Sequence, residues 1–284
     1  MTIAEVKRAL VSELSELLQG NETYSVTRMI LEHFGYSEIQ ILKDPAAIVD
    51  ANIQAEIKKI VIELHKNRPI QYILGETIFY ELSFIVSEGV LIPRPETEEL
   101  VSNIILENSY TTPSILDIGT GSGCIAVTLA KFLPGSKVTA MDIEEAALKI
   151  ARTNARKNHA EVRFLNQSII SAEHNMKTEP FDIIVSNPPY ILESEKNLMM
   201  PNVLNFEPVS ALFVPDNDPF IFYREIIRYS EKGLSKKGVI WTEINEEYGS
   251  ELKDLFIKSG FRSVRILKDI HGKERFIKAT DRNG

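Results

Sequence analysis

A single cysteine, Cys124, stands in 284 residues. No disulfide can close within the chain, and no cysteine-based zinc site can be built. The five histidines (His33, His65, His159, His174 and His271) are scattered, with no HxxxH-type pair. No run of 18 apolar residues exists, which excludes a membrane-spanning helix. The N-terminal stretch lacks a basic start followed by a continuous apolar segment, so no secretory signal is read there. A soluble, cytoplasmic protein is expected. Basic side chains are in the minority, 32 Lys and Arg against 40 Asp and Glu, for a net charge of −8. The first 84 residues hold 8 basic and 12 acidic side chains and the remainder 24 and 28, so each part carries −4. There is no basic tail or basic domain, and a dedicated nucleic-acid binder would show one. Internal repeats and low-complexity tracts are absent as well. What is present is ordinary globular usage, 44% hydrophobic and 25% charged, in a chain long enough to bury a core without staples.

The chain changes character along its length. Residues 1–70 read as helix only, with Thr2 and Glu5 forming a T-x-x-E capping box. Val6, Leu10, Leu14 and Leu17 follow at helical spacing, and Gly20 fits a C-terminal stop. Further helices are expected over 25–34, 37–42 and around Ile53, Ile57, Ile60 and Leu64. Short amphipathic helices bury their apolar faces only against one another, so a small helical bundle is expected. Residues 71–95 alternate with aromatic and β-branched character, punctuated by Gly75 and Gly89, and read as a hairpin linking two domains. From Ser114 onward strands and helices alternate. Strands are expected at 114–119, 137–142, 162–165, 181–187 and 238–244, and helices at 123–133, 144–158, 220–231 and 247–259. Two closing strands flank the turn at His271-Gly272. Residues 96–284 therefore predict an α/β, Rossmann-like domain, a mostly parallel sheet with an antiparallel edge hairpin.

The first chemically informative unit follows the first of these strands. Asp117, Gly119, Thr120, Gly121, Ser122 and Gly123 lie between strand and helix, at the sheet edge where such folds bind ligands. Glycines there permit positive φ and close backbone approach to a ligand. Asp142 ends the next strand, where an acidic side chain accepts hydrogen bonds from a ribose diol. A dinucleotide fingerprint, G-x-G-x-x-G, needs a glycine at 124, but that position is Cys124 and the glycines run G-x-G-x-G. That version is typical of S-adenosyl-L-methionine enzymes. Cys124 itself reads as a small packing residue of the first helix turn.

The second unit, Asn187-Pro188-Pro189-Tyr190, closes the fourth strand. Its prolines end the ladder and stiffen a turn beside the ligand edge. The chemistry suits a planar nitrogen. The Asn187 side-chain oxygen accepts one N–H, the Pro188 carbonyl accepts the other, and Tyr190 stacks on the planar group.

With these residues stand others that resemble one family. Residues 68–75 (RPIQYILG), 90–98 (VLIPRPETE), 187–190 (NPPY), Phe206-Glu207-Pro208 with Ala211-Leu212, and Asp269 to Gly272 with Arg275 are similar to motifs of the PrmC/HemK family of release factor glutamine methyltransferases. The resemblance covers nearly the whole chain. It implies methyl transfer from S-adenosyl-L-methionine, leaving S-adenosyl-L-homocysteine, to the side-chain amide of the GGQ glutamine of class 1 peptide chain release factors. It implies that Gly119 to Gly123 and Asp142, with Asp117, Ile143, Ser168, Ile169 and Asn187, hold the cofactor. It implies that Asn187, Pro188, Pro189 and Tyr190 hold the substrate amide and serve the reaction. Arg94, Glu96 and Thr97 would line or cap the cofactor pocket, or cap the following helix. The bundle 1–70 would dock the release factor. No metal, no direct nucleic-acid contact and no membrane are expected, and a monomer is.

Three places depart from the family pattern. Gln167-Ser168-Ile169 stands where an acidic residue is usual, so Ser168 would replace a carboxylate at the adenine amine, while Ile169 would pack on the ring. Residues 213–218 (FVPDND) replace a glycine-rich stretch, and Glu243-Ile244-Asn245 replaces an EIG. Within enzymes, the alternatives are a glutamine of a ribosomal protein or an amine of a nucleic-acid base. The acidic helical part disfavours the latter. A non-catalytic binding protein on the same scaffold is a further alternative, disfavoured by the intact Asn187, Pro188, Asp142 and glycines.

Overall fold

The computed structural model describes residues 1–170 and 180–282. The chain divides into two compact units, one of Met1–Gly75 with Pro201–Phe206, the other of Glu76–Met200 with Glu207–Gly284. No helix among the described residues is long and apolar enough to cross a membrane.

The first unit is helical: α1 (Ile3–Leu14), α2 (Asn21–His33), α3 (Glu38–Lys43), α4 (Ala51–His65) and α5 (Ile70–Leu74). The capping box forms at Thr2, whose Oγ1 accepts from Glu5 N–H while its own N–H donates to Glu5 Oε2. Ile3, Val6, Leu10 and Leu14 pack with Ile30, Leu31, Ile57 and Leu64 in one core. Gly20 does not stop α1, which ends at Leu14; it stands at the N-cap of α2, with φ 53°. Gly20 thus serves the next helix, which starts one turn earlier than expected.

The second unit opens with β1 (Glu76–Phe79) and β2 (Leu82–Ile85), an antiparallel pair. Tyr80 and Glu81 form its two-residue turn, both at positive φ, the geometry whose twist matches the strands. This hairpin is no free connector. Phe79 and Phe84 are fully buried among Leu100, Ile125 and Trp241. Its expected start is also displaced, because Ile70 to Leu74 wind as α5 and only Gly75, at φ 75°, turns the chain into β1.

Then follow α6 (Pro95–Glu107), β3 (Ser114–Ile118), α7 (Cys124–Phe132), β4 (Lys137–Asp142), α8 (Glu145–Lys157), β5 (Val162–Asn166), β6 (Phe181–Ser186), β7 (Ile191–Leu192), α9 (Pro201–Leu204, counted in the first unit), α10 (Val209–Leu212), β8 (Phe213–Val214), α11 (Ile221–Gly233), β9 (Leu234–Glu243), α12 (Gly249–Lys258), β10 (Phe261–Lys268) and β11 (Glu274–Arg282). Among the described residues the main sheet has the order β10-β11-β9-β6-β3-β4-β5. β5, β4, β3, β6 and β9 are parallel, and β11 joins β9 and β10 antiparallel, as the strand–helix alternation predicts. Successive strand residues face opposite sides. Ile115, Ile183, Val185 and Trp241 meet α6 and α7, whereas Leu116, Ile184 and Ile240 meet α11 and α12. The order reverses between β3 and β6, so their C-terminal ends flank a crevice, the place where open α/β sheets take ligands.

Candidate active site

Two short loops leave the sheet at that crevice. After β3 the backbone turns through Gly119, Gly121 and Gly123, all at positive φ. A Cβ added at Gly119 or Gly121 meets nothing within 4 Å, whereas one at Gly123 meets Ala151 Cβ at 3.0 Å. The third glycine therefore lets the loop pack on α8, and the first two leave open space. Gly119 and Thr120 N–H both donate to the Met141 carbonyl, which pins the loop to β4. Asp142, ending β4, accepts from Gly121 N–H through Oδ2 (2.8 Å) and from Glu144 N–H through Oδ1 (2.9 Å). A carboxylate offers about four acceptor positions, so each oxygen keeps one for a ligand.

These loops bound a cavity of about 290 Å³. Of the residues expected at a cofactor, Gly119, Gly121, Asp142, Ile143, Ser168, Ile169 and Asn187 line it, together with Pro188 and Pro189. Asp117, Thr120, Ser122 and Gly123 are not among its walls. Asp117 is fully buried beneath the loop, where its Oδ2 accepts from Thr120 Oγ1 (2.6 Å) and Ala126 N–H (3.2 Å). Burial pushes its carboxyl from 3.8 up to about 7. It buttresses the turn from inside. Ser122 turns its carbonyl to Asn154 Nδ2 (2.9 Å), and Gly123 is occupied in packing. Asn154 was not foreseen. It sits on the buried stripe of α8 with Ala147, Leu148, Ala151 and Ala155, and it also bonds both the N–H and the carbonyl of Ile85. A polar residue on an otherwise apolar helical stripe is the signal that would have found it. Cys124 is buried and its thiol is pushed up to about 12, an inert packing residue as expected.

On the other wall, Asn187 Nδ2 donates to Thr97 Oγ1 (3.1 Å). Thr97 in turn donates to Glu243 Oε2 (2.8 Å), and the Tyr190 hydroxyl donates to Glu243 Oε1 (3.0 Å). Glu243, at the end of β9, is 2% exposed, and burial raises its carboxyl from 4.5 to about 7 against the lowering pull of these hydroxyls and Arg275. Burial and Glu243 likewise raise the Tyr190 phenol, so it stays protonated. Thr97 therefore bridges Asn187 and Glu243; it does not cap α6. Arg94 also stands elsewhere than the resemblance implied. Its guanidinium pairs with buried Glu207 (2.5 Å), which accepts from Ile92 N–H through its other oxygen (3.2 Å). Two motifs, 90–98 and 206–208, are clamped together by that carboxylate. Further walls of the cavity come from Gly89, Val90 and Pro208, which belong to segments marked in the sequence, and from Ser210 and Phe222, which no motif marked.

A family model described as Methyltransferase small domain matches residues 96–205. The chain is 42% identical to the release factor glutamine methyltransferase of Flavobacterium psychrophilum, covering 99% of this chain and 100% of that one. It is 44% identical to that of Bacteroides thetaiotaomicron, covering 94% and 95%. The chain belongs to the release factor glutamine methyltransferase family. A solved methyltransferase structure from Pyrococcus furiosus shares the fold, with a TM-score of 0.52 at 21% identity, covering 81% of this chain and 98% of that one.

The three departures from the family's usual pattern have local explanations. Ser168 Oγ accepts from Ile170 N–H (3.2 Å), which leaves its hydroxyl proton as a donor at the cavity wall. In the stretch after Leu212, Phe213 and Val214 pair with Ile191 and Leu192. Asp216 accepts from Ser194 N–H and Oγ, bonds that hold its carboxyl below the usual value, and Asp218 pairs with Arg224. Asn245 caps the turn after β9 through Glu247 N–H (3.0 Å) and reaches the Tyr190 carbonyl (3.5 Å). Side-chain bonds thus hold both of these segments in place.

Proposed function

We propose that this chain transfers a methyl group from S-adenosyl-L-methionine to the side-chain amide nitrogen of the GGQ glutamine of class 1 peptide chain release factors. The observation that carries the reading is the cavity at the reversal of strand order, with Gly119, Gly121 and Asp142 on one wall and Asn187-Pro188-Pro189 on the other. Relatives named release factor glutamine methyltransferases, matched along the whole chain, support the same substrate.

The residues fit the cofactor. Gly119 and Gly121 leave a cradle that a Cβ would fill, and the free positions on Asp142 suit a ribose diol. Ile143 and Ile169 offer apolar surface to a planar ring, and Ser168 a donor beside it. Bound there, S-adenosyl-L-methionine supplies an electrophilic methyl on a sulfonium. The chain's own part is positioning. An amide nitrogen is a poor nucleophile because its lone pair is delocalised. Asn187 Oδ1 accepts one N–H of the substrate amide and the Pro188 carbonyl the other, which orients the nitrogen and favours a pyramidal geometry. Tyr190 packs on the amide plane. The surplus proton leaves to water after transfer, when the nitrogen is acidic. The helical bundle, residues 1–70, docks the release factor; an acidic surface suits a basic protein partner. The enzyme acts as a monomer.

Peptide mass spectrometry of an unmodified class 1 release factor, incubated with the protein and S-adenosyl-L-methionine, tests this. One methyl on the GGQ glutamine is expected, with kcat lower by roughly 10²- to 10³-fold in Asn187→Ala. No methylation while cofactor binding persists overturns the substrate assignment. An unchanged kcat in Asn187→Ala overturns the role of Asn187.

A further inference from the structure

Glu243 is buried, and each of its two oxygens takes one hydroxyl, Oε2 that of Thr97 and Oε1 that of Tyr190. At pH 8, above the value of about 7 to which burial raises it, Glu243 is ionised and only accepts, so the Thr97 proton is committed to it. Thr97 Oγ1 then offers Asn187 an acceptor alone, and only the Nδ2 end of the amide donates to an acceptor. The amide is planar, so Nδ2 held against Thr97 turns Oδ1 the other way. We infer that Glu243 is a positioning residue for methyl transfer, fixing through Thr97 which way round the Asn187 amide stands and holding Tyr190 by its hydroxyl. This rests on the reading of Asn187 proposed above.

The direction of the relay matters. A threonine hydroxyl alone donates as readily as it accepts. With its proton free it would capture Asn187 Oδ1, and Nδ2 would then face the substrate N–H, donor against donor. The carboxylate removes that second arrangement. Other groups around Glu243 serve it differently: the Tyr223 hydroxyl donates to its backbone carbonyl (3.0 Å), and Arg275 and Glu96 act on it by charge.

Thr97→Val keeps the shape and removes the hydroxyl, Thr97→Ser keeps the hydroxyl, and Glu243→Gln keeps the volume and removes the acceptor-only character. At pH 8, with both substrates saturating, kcat of Thr97→Val is expected to fall about 10- to 100-fold while Thr97→Ser stays within about threefold of wild type. The dissociation constant for S-adenosyl-L-methionine is expected to stay unchanged. Glu243→Gln should lower kcat alone and, in the Thr97→Val background, add less than it does alone, since only its hold on Tyr190 is then left to lose. A second readout needs no release factor. In ¹⁵N-asparagine-labelled protein, the Asn187 side-chain amide protons are expected to exchange slowly in wild type and Thr97→Ser and faster in Thr97→Val and Glu243→Gln. Wild-type kcat in Thr97→Val, additive losses in the double variant, or an Asn187 amide indifferent to both substitutions each overturn the inference. A wild type that leaves release factors unmethylated overturns the proposed function instead, and the amide spectrum still decides this point.

Discussion

Gly123→Ala should be the most damaging single methyl in the glycine loop. Gly123 holds φ 82°, a conformation that costs an L-residue about 1–2 kcal/mol. The added Cβ would also stand 3.0 Å from Ala151 Cβ and 3.2 Å from its Cα. The latter is helix backbone, and α8 is not free to retreat, because Asn154 ties it to Ser122 and Ile85. Overpacking of this kind adds about 1–3 kcal/mol, so the expected loss is about 2–5 kcal/mol. Gly119→Ala is the control. It has φ 72° and open space around the added carbon, so only the conformational part applies, about 1–2 kcal/mol. Urea unfolding followed by fluorescence reads the difference, because the one tryptophan, Trp241, is buried in β9 and reports on the sheet. With a slope of about 2 kcal/mol/M, Gly123→Ala lowers the midpoint by about 1–2.5 M and Gly119→Ala by about 0.5–1 M. A midpoint no lower for Gly123→Ala than for Gly119→Ala would refute the close packing of this loop on α8.

Three further outcomes follow from buried polar groups and from backbone strain. Asn154→Ala leaves the Ile85 N–H and the Ile85 and Ser122 carbonyls without their partner, at about 1–3 kcal/mol for each group left unsatisfied; a loss below 1 kcal/mol in the same unfolding assay would show that the site admits water. Asp117 and Glu243 have carboxyls raised to about 7 by burial, so the folded state keeps protons that the unfolded chain releases. The stability they contribute is fully present below about pH 4 and is lost as pH rises through about 7; unfolding between pH 4.5 and 7.5 should therefore show a shallower decline in Asp117→Asn than in wild type, and equal slopes would contradict the burial argument. Glu81 is exposed at φ 65° in the β1–β2 turn, so Glu81→Asn should raise stability by about 0.5–1 kcal/mol, and a lowered midpoint would mean that its side chain matters more than its backbone.

Much of the fold was legible because its signals are local. Strand–helix alternation predicted the parallel sheet, and the unbroken burial along most of β3 and β6 and the second half of β9 is the ordinary consequence of a sheet covered on both faces. The glycine turn and Asn187 to Tyr190 were legible for the same reason, each being a short contiguous string at a strand end. The partners of those strings were not. Thr97 and Glu243 lie 146 residues apart, Arg94 and Glu207 113, and Ile85 and Asn154 69. No periodicity links such pairs. One trace was available: a glutamate closing the apolar strand 238–244 is an acid where burial is expected, and such an acid needs partners.

The sequence by itself determined most of the longer helices and strands, the mostly parallel sheet, the family and the strings that meet at the crevice. It did so because backbone preference, apolar periodicity and short motifs are properties of neighbours along the chain. Only the tertiary structure decided that Asp117 lies under the loop and outside the cavity wall, that Thr97 faces Asn187 and does not cap its helix, and that the β1–β2 hairpin belongs to the sheet's core. Those outcomes depend on strand register and on which helix covers which face. A side chain's surroundings are set by residues distant in sequence, and burial then decides which hydrogen bonds and which protonation it keeps.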